Sequence, residues 1–526
     1  MGRIGMLVVA LKPGHDGAVA AIDNRKLLYS LESEKDSRPR YTQLLPTTIL
    51  DIAERLDAVP DVVALGGWSD LRPNRISYTG AGYEGTHEPT ITTSRFFGKE
   101  VRFFTSTHER SHIYMALGMA PADTAPLRTV LVWEGDVGAF YVVDADHRIV
   151  RTVPVMTGPG ARYSFLFGLA DPTFPDSGGK PRLNDAGKLM ALAAFGDAGE
   201  AGPDITNVVE RILKQDSMYP APKAEYQDSV LYNAGVESDA CKTAAALLTK
   251  RLFETFAQVA REQMPEGSPL YISGGCGLNC DWNSEWAALG HFSSVFVAPC
   301  TNDSGSALGT AIDALATFTG DPHIDWSVYS GLDFVDDTRP DTSRWRSRPL
   351  DHDAVAQALA AGRVVAWVQG RWEIGPRALG NRSLLAEPFS TATRDLLNDI
   401  KKREDYRPIA PVCRVEDLPA VFHEDFEDPY MLYFRRVRES SGALAVTHVD
   451  GSARCQTVRE SGNPRLHRLL SAFAARRGLG VLCNTSLNFN GEGFINRTSD
   501  LTLYCESRGI SDMVVGDTWY QRVEGS

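Results

Sequence analysis

Met6-Leu-Val-Val-Ala-Leu11, Lys12-Pro-Gly-His-Asp-Gly17, Ala18-Val-Ala-Ala-Ile22, Asp23-Asn24-Arg25 and Lys26-Leu-Leu-Tyr-Ser-Leu31 follow one another without a break near the start of the chain. Apolar runs of strand length alternate here with polar turns, which predicts a β-meander opening a mixed sheet. Further strands are predicted over 62–65, 101–104, 129–133, 139–143, 270–272 and 294–297, with helices over 47–56, 107–119 and 243–263. A second glycine-bearing turn, Ser273-Gly274-Gly275, closes the 270–272 run. Two turn-bearing sheets in one long region predict a duplicated α/β unit with a ligand between its halves. No internal sequence repeat accompanies it.

Residues 318–350 are rich in Asp, Ser, Thr and Pro and carry little periodicity, which marks a boundary. The units expected are 1–340 and 350–526. The second begins with a helix over 354–361 and a strand over 364–368, and its less regular alternation reads as α+β.

A chain of 526 residues has room for such a division, and 43% hydrophobic with 23% charged residues is ordinary for a globular protein. The net charge of −13 argues against a broad electrostatic grip on nucleic acid or anionic membrane. No apolar run approaches a membrane span, and the first residues read as a core strand without a cleavage pattern, so a cytoplasmic location is expected. Cys241, Cys276, Cys280, Cys300, Cys413, Cys455, Cys483 and Cys505 are scattered without finger spacing and read as buried thiols.

The chemistry-bearing stretches are few. Gly375-Pro-Arg-Ala-Leu-Gly-Asn-Arg382 packs Arg377 and Arg382 into a turn, where guanidinium forks and backbone N–H groups suit an anion. A structural turn bridging to carboxylates is the plainer reading. Lys401-Lys-Arg403-Glu-Asp-Tyr-Arg407-Pro408, Arg454 and Asn484-Thr-Ser486 follow; a solvated charged helix end is the plainer reading, against which Arg403 and Arg407 stand at i, i+4 and Arg407 abuts the apolar run from Ile409, as a pocket for a polyanionic substrate would have them.

His108-Glu-Arg-Ser-His112 sets two imidazoles on one helical face, suited to a metal ion, with Asp136 and Asp303 as candidate carboxylates. Solvated histidines and Asx turns are the plainer reading. Glycine-bearing turns before helices, with Lys188, Gly274, Gly275 and Asn279, can hold phosphate on backbone N–H groups. None is a Walker A loop.

Together, Gly14-His15-Asp16-Gly17-Ala18, the His108/His112 pair, Gly187 to Ala193, Ser273 to Cys280, Gly375 to Arg382, Lys401 to Pro408, His448 to Arg454 and Cys483 to Asn488 resemble the O-carbamoyltransferases of the nodulation-protein U and antibiotic-tailoring family. The resemblance spans nearly the whole chain. It implies an N-terminal Kae-like domain of the actin/sugar-kinase fold and a C-terminal YrdC-like domain. It implies two steps: carbamoyl adenylate made from ATP and carbamoyl phosphate, then transfer to a hydroxyl of a small natural product such as a 3-hydroxymethylcephem.

By carry-over, Arg377, Arg382, Lys401, Arg403, Arg407, Arg454, Asn484 and Ser486 hold carbamoyl phosphate and nucleotide, the latter with Mg. His108, His112, Asp136 and Asp303 hold an iron-type metal. His15, beside Asp16, is the candidate base, since imidazole suits proton removal near neutral pH. The segment Asp36 to Tyr41 departs from the family's basic-plus-His pattern, which leaves Arg38 and Arg40 without a carried-over role. The competing readings are a tRNA threonylcarbamoyl-type enzyme, disfavoured by the net charge, and an actin-like nucleotide-binding regulator, which leaves the arginines idle. The acceptor, the metal and the oligomeric state are not fixed by the sequence.

Overall fold

The meander forms as read. In the computed structural model, which describes residues 5–67, 82–177, 180–215, 217 and 220–523, strands β1 (Leu7–Lys12), β2 (Ala18–Asp23) and β3 (Lys26–Glu32) pair antiparallel in sequence. The start of the predicted N-terminal strand, residues 1–4, lies outside the described residues. Helix α1 (Pro46–Ala53) leads to β4 (Val62–Gly66), β5 (Thr90–Phe96) and β6 (Lys99–Ser106). The sheet order is β3-β2-β1-β4-β6-β5, with β4 parallel to β1 and β6 parallel to β4.

After α2 (His108–Met119) the plan repeats. Strands β7 (Leu127–Trp133), β8 (Val137–Asp144) and β9 (Ile149–Thr157) form a second antiparallel meander. Helices α3 (Pro159–Ala170), α4 (Asp185–Ala193), α5 (Pro203–Leu213) and α6 (Asp239–Gln263) follow. Then come β10 (Leu270–Ser273), α7 (Cys280–Ala288), β11 (Val295–Val297) and α8 (Ser306–Thr319). The order β9-β8-β7-β10-β11, with β10 parallel to β7 and β11 parallel to β10, matches β3-β2-β1-β4-β6 of the first sheet, which carries β5 as an additional edge strand. The duplication is thus one of topology, carried by no repeat of letters.

Alternation along the strands assigns the faces. Val8 and Ala10 of β1 and Val130 and Val132 of β7 join one core with α2 and α8, which lie between the two sheets. Val9 faces the core containing Ile52, Trp372 and Phe494, whereas Leu131 and Trp133 face that of α3 and α6. Helices α2 and α8 meet through Gly309, where a Cβ would lie 1.8 Å from Ser111 O. All of α2 is buried, polar first turn included, so its histidines are not solvated.

The remaining elements are β12 (Trp345–Pro349), α9 (His352–Ala360), β13 (Val365–Val368), β14 (Arg382–Ala386), α10 (Thr391–Lys401), β15 (Ala410–Arg414) and α11 (Leu418–Val421). They continue with β16 (Arg435–Arg436), β17 (Ser452–Ala453), β18 (Gln456–Val458), α12 (Pro464–Arg477), β19 (Val481–Ser486), α13 (Thr498–Ser507), β20 (Asp512–Val515) and β21 (Thr518–Arg522). A mixed sheet of order β12-β21-β20-β13-β14-β19-β15-β18 packs α10 and α13 on one face and α9 and α12 on the other.

The arginine-bearing loop between β13 and β14 is tied to the first sheet. Lys35 Nζ donates to Gly375 O at 2.7 Å, and Gly375 N donates to Glu32 Oε1 at 2.7 Å. All eight cysteines are buried and unbridged. Among the described residues no helix is long and apolar enough to cross a membrane.

Candidate functional site

Strand phase brings the first group of side chains together. Lys12 continues the Val8–Ala10 parity of β1, and Glu134 continues that of Val130 and Val132, so both emerge from the layer between the sheets. The first turn of α2 supplies His108 and His112, and the turn before α8 supplies Asp303. Ligand atoms of His108, His112, Glu134 and Asp303 lie within 4.8 Å of one another. The two Nε2 atoms are 3.2 Å apart, His108 Nε2 is 3.4 Å from Glu134 Oε1 and 3.5 Å from Asp303 Oδ1, and His112 Nε2 touches Glu134 Oε1. Ser273 Oγ sits 2.9 Å from His112 Nδ1 and fixes that ring from behind.

Burial disfavours charge on His108, but Asp303 and Glu134 outweigh it and raise its pKa to about 10. Burial also works against Glu134, yet the two imidazoles hold its carboxyl down at about 2. Asp303 is held well below the usual carboxylate range by Lys12, 3.1 Å away, and by His108.

Asp136 lies outside this set of ligand atoms. It sits past the end of β7, in the turn to β8, with its pKa raised by burial and by Glu134. Glu134, two residues earlier, takes the place expected for Asp136; strand parity was the signal that could have found it. His15 Nδ1 lies 2.8 Å from Asp16 Oδ2 and 3.6 Å from Asp303 Oδ2, so His15 and Asp16 border the group.

The second group is cationic. Burial, then Arg454, Arg40 and Arg407, lower Arg377 to about 9. Burial, Arg407 and Arg454 lower Arg403 to about 9. Arg407 is lowered by burial, Arg454 and Arg40, and Lys401 is pushed far down by burial and by Arg403, Arg407, Arg508 and Arg40. Mutual repulsion in a buried cluster destabilises the protein unless an anion shares the space. Nε of Arg377, of Arg454 and of Arg508 is buried without a hydrogen-bond acceptor. The sequence reading missed Arg508 and left Arg40 without a role. Both are remote in sequence from the arginine loop, and Arg40 comes from the first meander's side.

Several expected ligands have other tasks. Glu373 Oε1 accepts the N–H groups of Leu379, Asn381 and Arg382, so these N–H groups of the loop do not face an anion. Arg382 is fully buried and fully engaged: Nη1 donates to Gln369 O and Asn381 O, Nη2 to Gly370 O and Asn496 Oδ1, and Nε to Asn496 Oδ1. It braces the loop, leaving Arg377 as the loop's outward fork, with Nη2 3.1 Å from Leu278 O.

Gly274 is required by packing. At φ +101°, a Cβ there would lie 2.3 Å from Trp133 O, and nothing crowds Gly275. Asn279 Oδ1 caps α7, although its Nδ2 is buried and unpaired. Lys188 pairs with Glu404 at 3.2 Å. Lys401 Nζ donates to Ser486 O and Asn488 Oδ1, and Asn484 Nδ2 to Ala378 O and Gln456 Oε1. Arg403 and Arg407 are not helical partners, because α10 stops at Lys401 and Lys402 turns left-handed at φ 48°.

Arg382→Ala is expected to destabilise the fold by about 3 kcal/mol or more, since it strands buried carbonyls and Asn496. Arg377→Ala should leave stability unchanged or raised, because it removes a repelled charge. Urea melts of the two variants test the contrast; equal melting midpoints would dismiss the bracing role.

A family model described as carbamoyltransferase N-terminus matches residues 92–312, and one described as carbamoyltransferase C-terminus matches 356–522. The chain is 84% identical to a 3′-hydroxymethylcephem-O-carbamoyltransferase of Amycolatopsis lactamdurans, over 99% of this chain and 100% of the relative. It is 83% identical to the protein of the same name from Streptomyces clavuligerus, with the same coverage. Nodulation protein U of Bradyrhizobium diazoefficiens is 31% identical, with 93% of each chain covered.

Proposed function

The chain belongs to the carbamoyltransferase family, and from that premise we propose that it is an ATP-dependent O-carbamoyltransferase acting on the 3′-hydroxymethyl group of a cephem. The observation that carries the acceptor is the 84% identity, over essentially full length, to a relative named for that acceptor. A tRNA acceptor fits neither the charge of −13 nor the relatives' names. A non-enzymatic regulator leaves the repelling cationic cluster without a purpose.

In this reading the chain divides near the span between the two family models, as 1–340 and 350–526. The first unit takes the actin/sugar-kinase, Kae-like form, which its repeated sheet topology supports, and the second the YrdC-like form. Arg377, Arg403, Arg407 and Arg454, joined by Arg40 and Arg508, hold the phosphates of ATP and carbamoyl phosphate, with Mg accompanying the nucleotide. Water releases phosphate from carbamoyl phosphate, and the carbamate oxygen displaces pyrophosphate from the α-phosphorus. The guanidinium groups neutralise the charge on the leaving phosphates. Arg377 touches Leu278 of the first unit, so the adenylate forms at the seam, and Arg40 with Asp16 continues the polar lining toward His15. An adenylate handed on between these groups without release into bulk water would escape hydrolysis.

The His108, His112, Glu134 and Asp303 donors fit a divalent ion of the iron or zinc type: two imidazoles and two carboxylates converge within 4.8 Å of one another. Such an ion would supply Lewis acidity toward the acceptor oxygen. His15, positioned by Asp16, accepts the hydroxyl proton as that oxygen attacks the carbamoyl carbon and AMP leaves.

Mass spectrometry of products from ATP, carbamoyl phosphate and a panel of alcohols including a 3-hydroxymethylcephem tests the assignment. Carbamoylation of another alcohol in preference to the cephem would overturn the acceptor. His15→Ala should keep pyrophosphate release, as slow uncoupled turnover, while carbamoylated cephem falls about 10²-fold or more. Equal loss of both signals in a folded variant would place His15 in the fold or in a shared site.

A further inference from the structure

A second group of metal-ligating side chains lies toward the other end of α2, beside Gly118, roughly 15 Å along the helix from His108 at 1.5 Å per residue. His147 stands in the turn between β8 and β9 at φ 61°, with its carbonyl accepting from Tyr114 Oη at 3.3 Å. Asp321 and His323 follow α8. His323 O accepts from Arg25 Nε at 3.0 Å, and Ile324 N donates to Gly118 O at 3.1 Å, which fixes that segment against α2.

One ligand atom from each of His147, Asp321 and His323 falls within a 4.8 Å group. The two imidazole centroids are 5.3 Å apart at 73°, close to the 4.7 Å and 84° of the His108–His112 pair. Asp321 Oδ2 is held by Arg25 at 2.8 Å, while Oδ1 lies 2.8 Å from His323 Nδ1. An Asp321–His323 turn by itself would account for those two residues. It leaves His147 Nδ1, which is buried and has no hydrogen-bond partner.

The geometry points to a structural metal site formed by His147, Asp321 and His323, which takes a borderline divalent ion such as Zn²⁺ and clips the β8–β9 turn to the segment leaving α8. Two imidazoles with one carboxylate suit zinc, with water completing the shell. On binding, the ion replaces the proton shared by His323 and Asp321.

The test is titration of the metal-free protein with Zn²⁺ in competition with a chromophoric chelator, with circular dichroism as the fold control. The wild type should bind at two sites. His147→Gln with His323→Gln should weaken one of them by about 100-fold, whereas His108→Ala with His112→Ala should keep that site and lose the other. If the glutamine pair unfolds the protein, His147→Gln alone should still weaken that site, and Zn²⁺ should still raise the melting temperature of the His108/His112 variant. Unchanged zinc binding in the glutamine variant, or no zinc bound by the His108/His112 variant, overturns the proposal.

Discussion

Arg377→Ala is expected to cut carbamoyl-phosphate-dependent pyrophosphate release by about 10²–10³-fold, the usual effect of removing a preorganised donor from a site of developing charge. The motive is structural. Arg377 is the fork of its loop that is not consumed by bracing, its Nε is buried without an acceptor, and Arg454, Arg40 and Arg407 crowd its charge. The ligand-free protein carries these repelling cations at a cost in stability, which a polyanion would offset. Arg377→Lys should recover only part of the rate, since an ammonium lacks the planar fork. Wild-type pyrophosphate release in the Ala variant would remove Arg377 from the site.

The second large effect concerns the four-ligand group. On the proposed metal centre, His108→Ala with His112→Ala should remove metal from the protein and slow carbamoyl transfer while pyrophosphate release survives. Glu134→Gln should lower metal affinity by about 100-fold or more, because it removes a ligand rather than one of the outer partners whose loss costs 10–100-fold. Asp136→Asn should leave metal content nearly unchanged, since Asp136 lies outside the ligand set. Elemental analysis of the three proteins, paired with product assay, decides between strand parity and the turn residue. Full occupancy in the histidine double variant would make the pair structural, and metal loss in Asp136→Asn with retention in Glu134→Gln would reverse the assignment.

Local pattern carried much of this molecule. Alternating apolar runs at 6–31 are enough to make β1, β2 and β3, because a half-buried strand needs only period-two chemistry and turn residues between. The i, i+4 spacing of His108 and His112 fixes their shared helical face, and the residue types of the arginine loop and the basic stretch mark a concentration of cations. What failed were inferences that needed a partner from elsewhere. Arg382 and Arg377 are indistinguishable as letters in one loop, yet Asn496 and the carbonyls at 369, 370 and 381 claim the first and leave the second. The helical reading of 401–407 failed at Lys402, whose left-handed backbone ends α10.

The sequence by itself determined the meander, the paired histidines, the cationic stretch and the family resemblance, because each is written in neighbours along the chain. Only the tertiary structure decided that Glu134 rather than Asp136 completes the His108/His112/Asp303 group, that Arg40 and Arg508 join the cationic cluster, and that Arg382 is a brace. Each of those outcomes depends on which groups, far apart in sequence, compete for the same charge or the same buried hydrogen bond, and that competition exists only once the sheets and helices have packed.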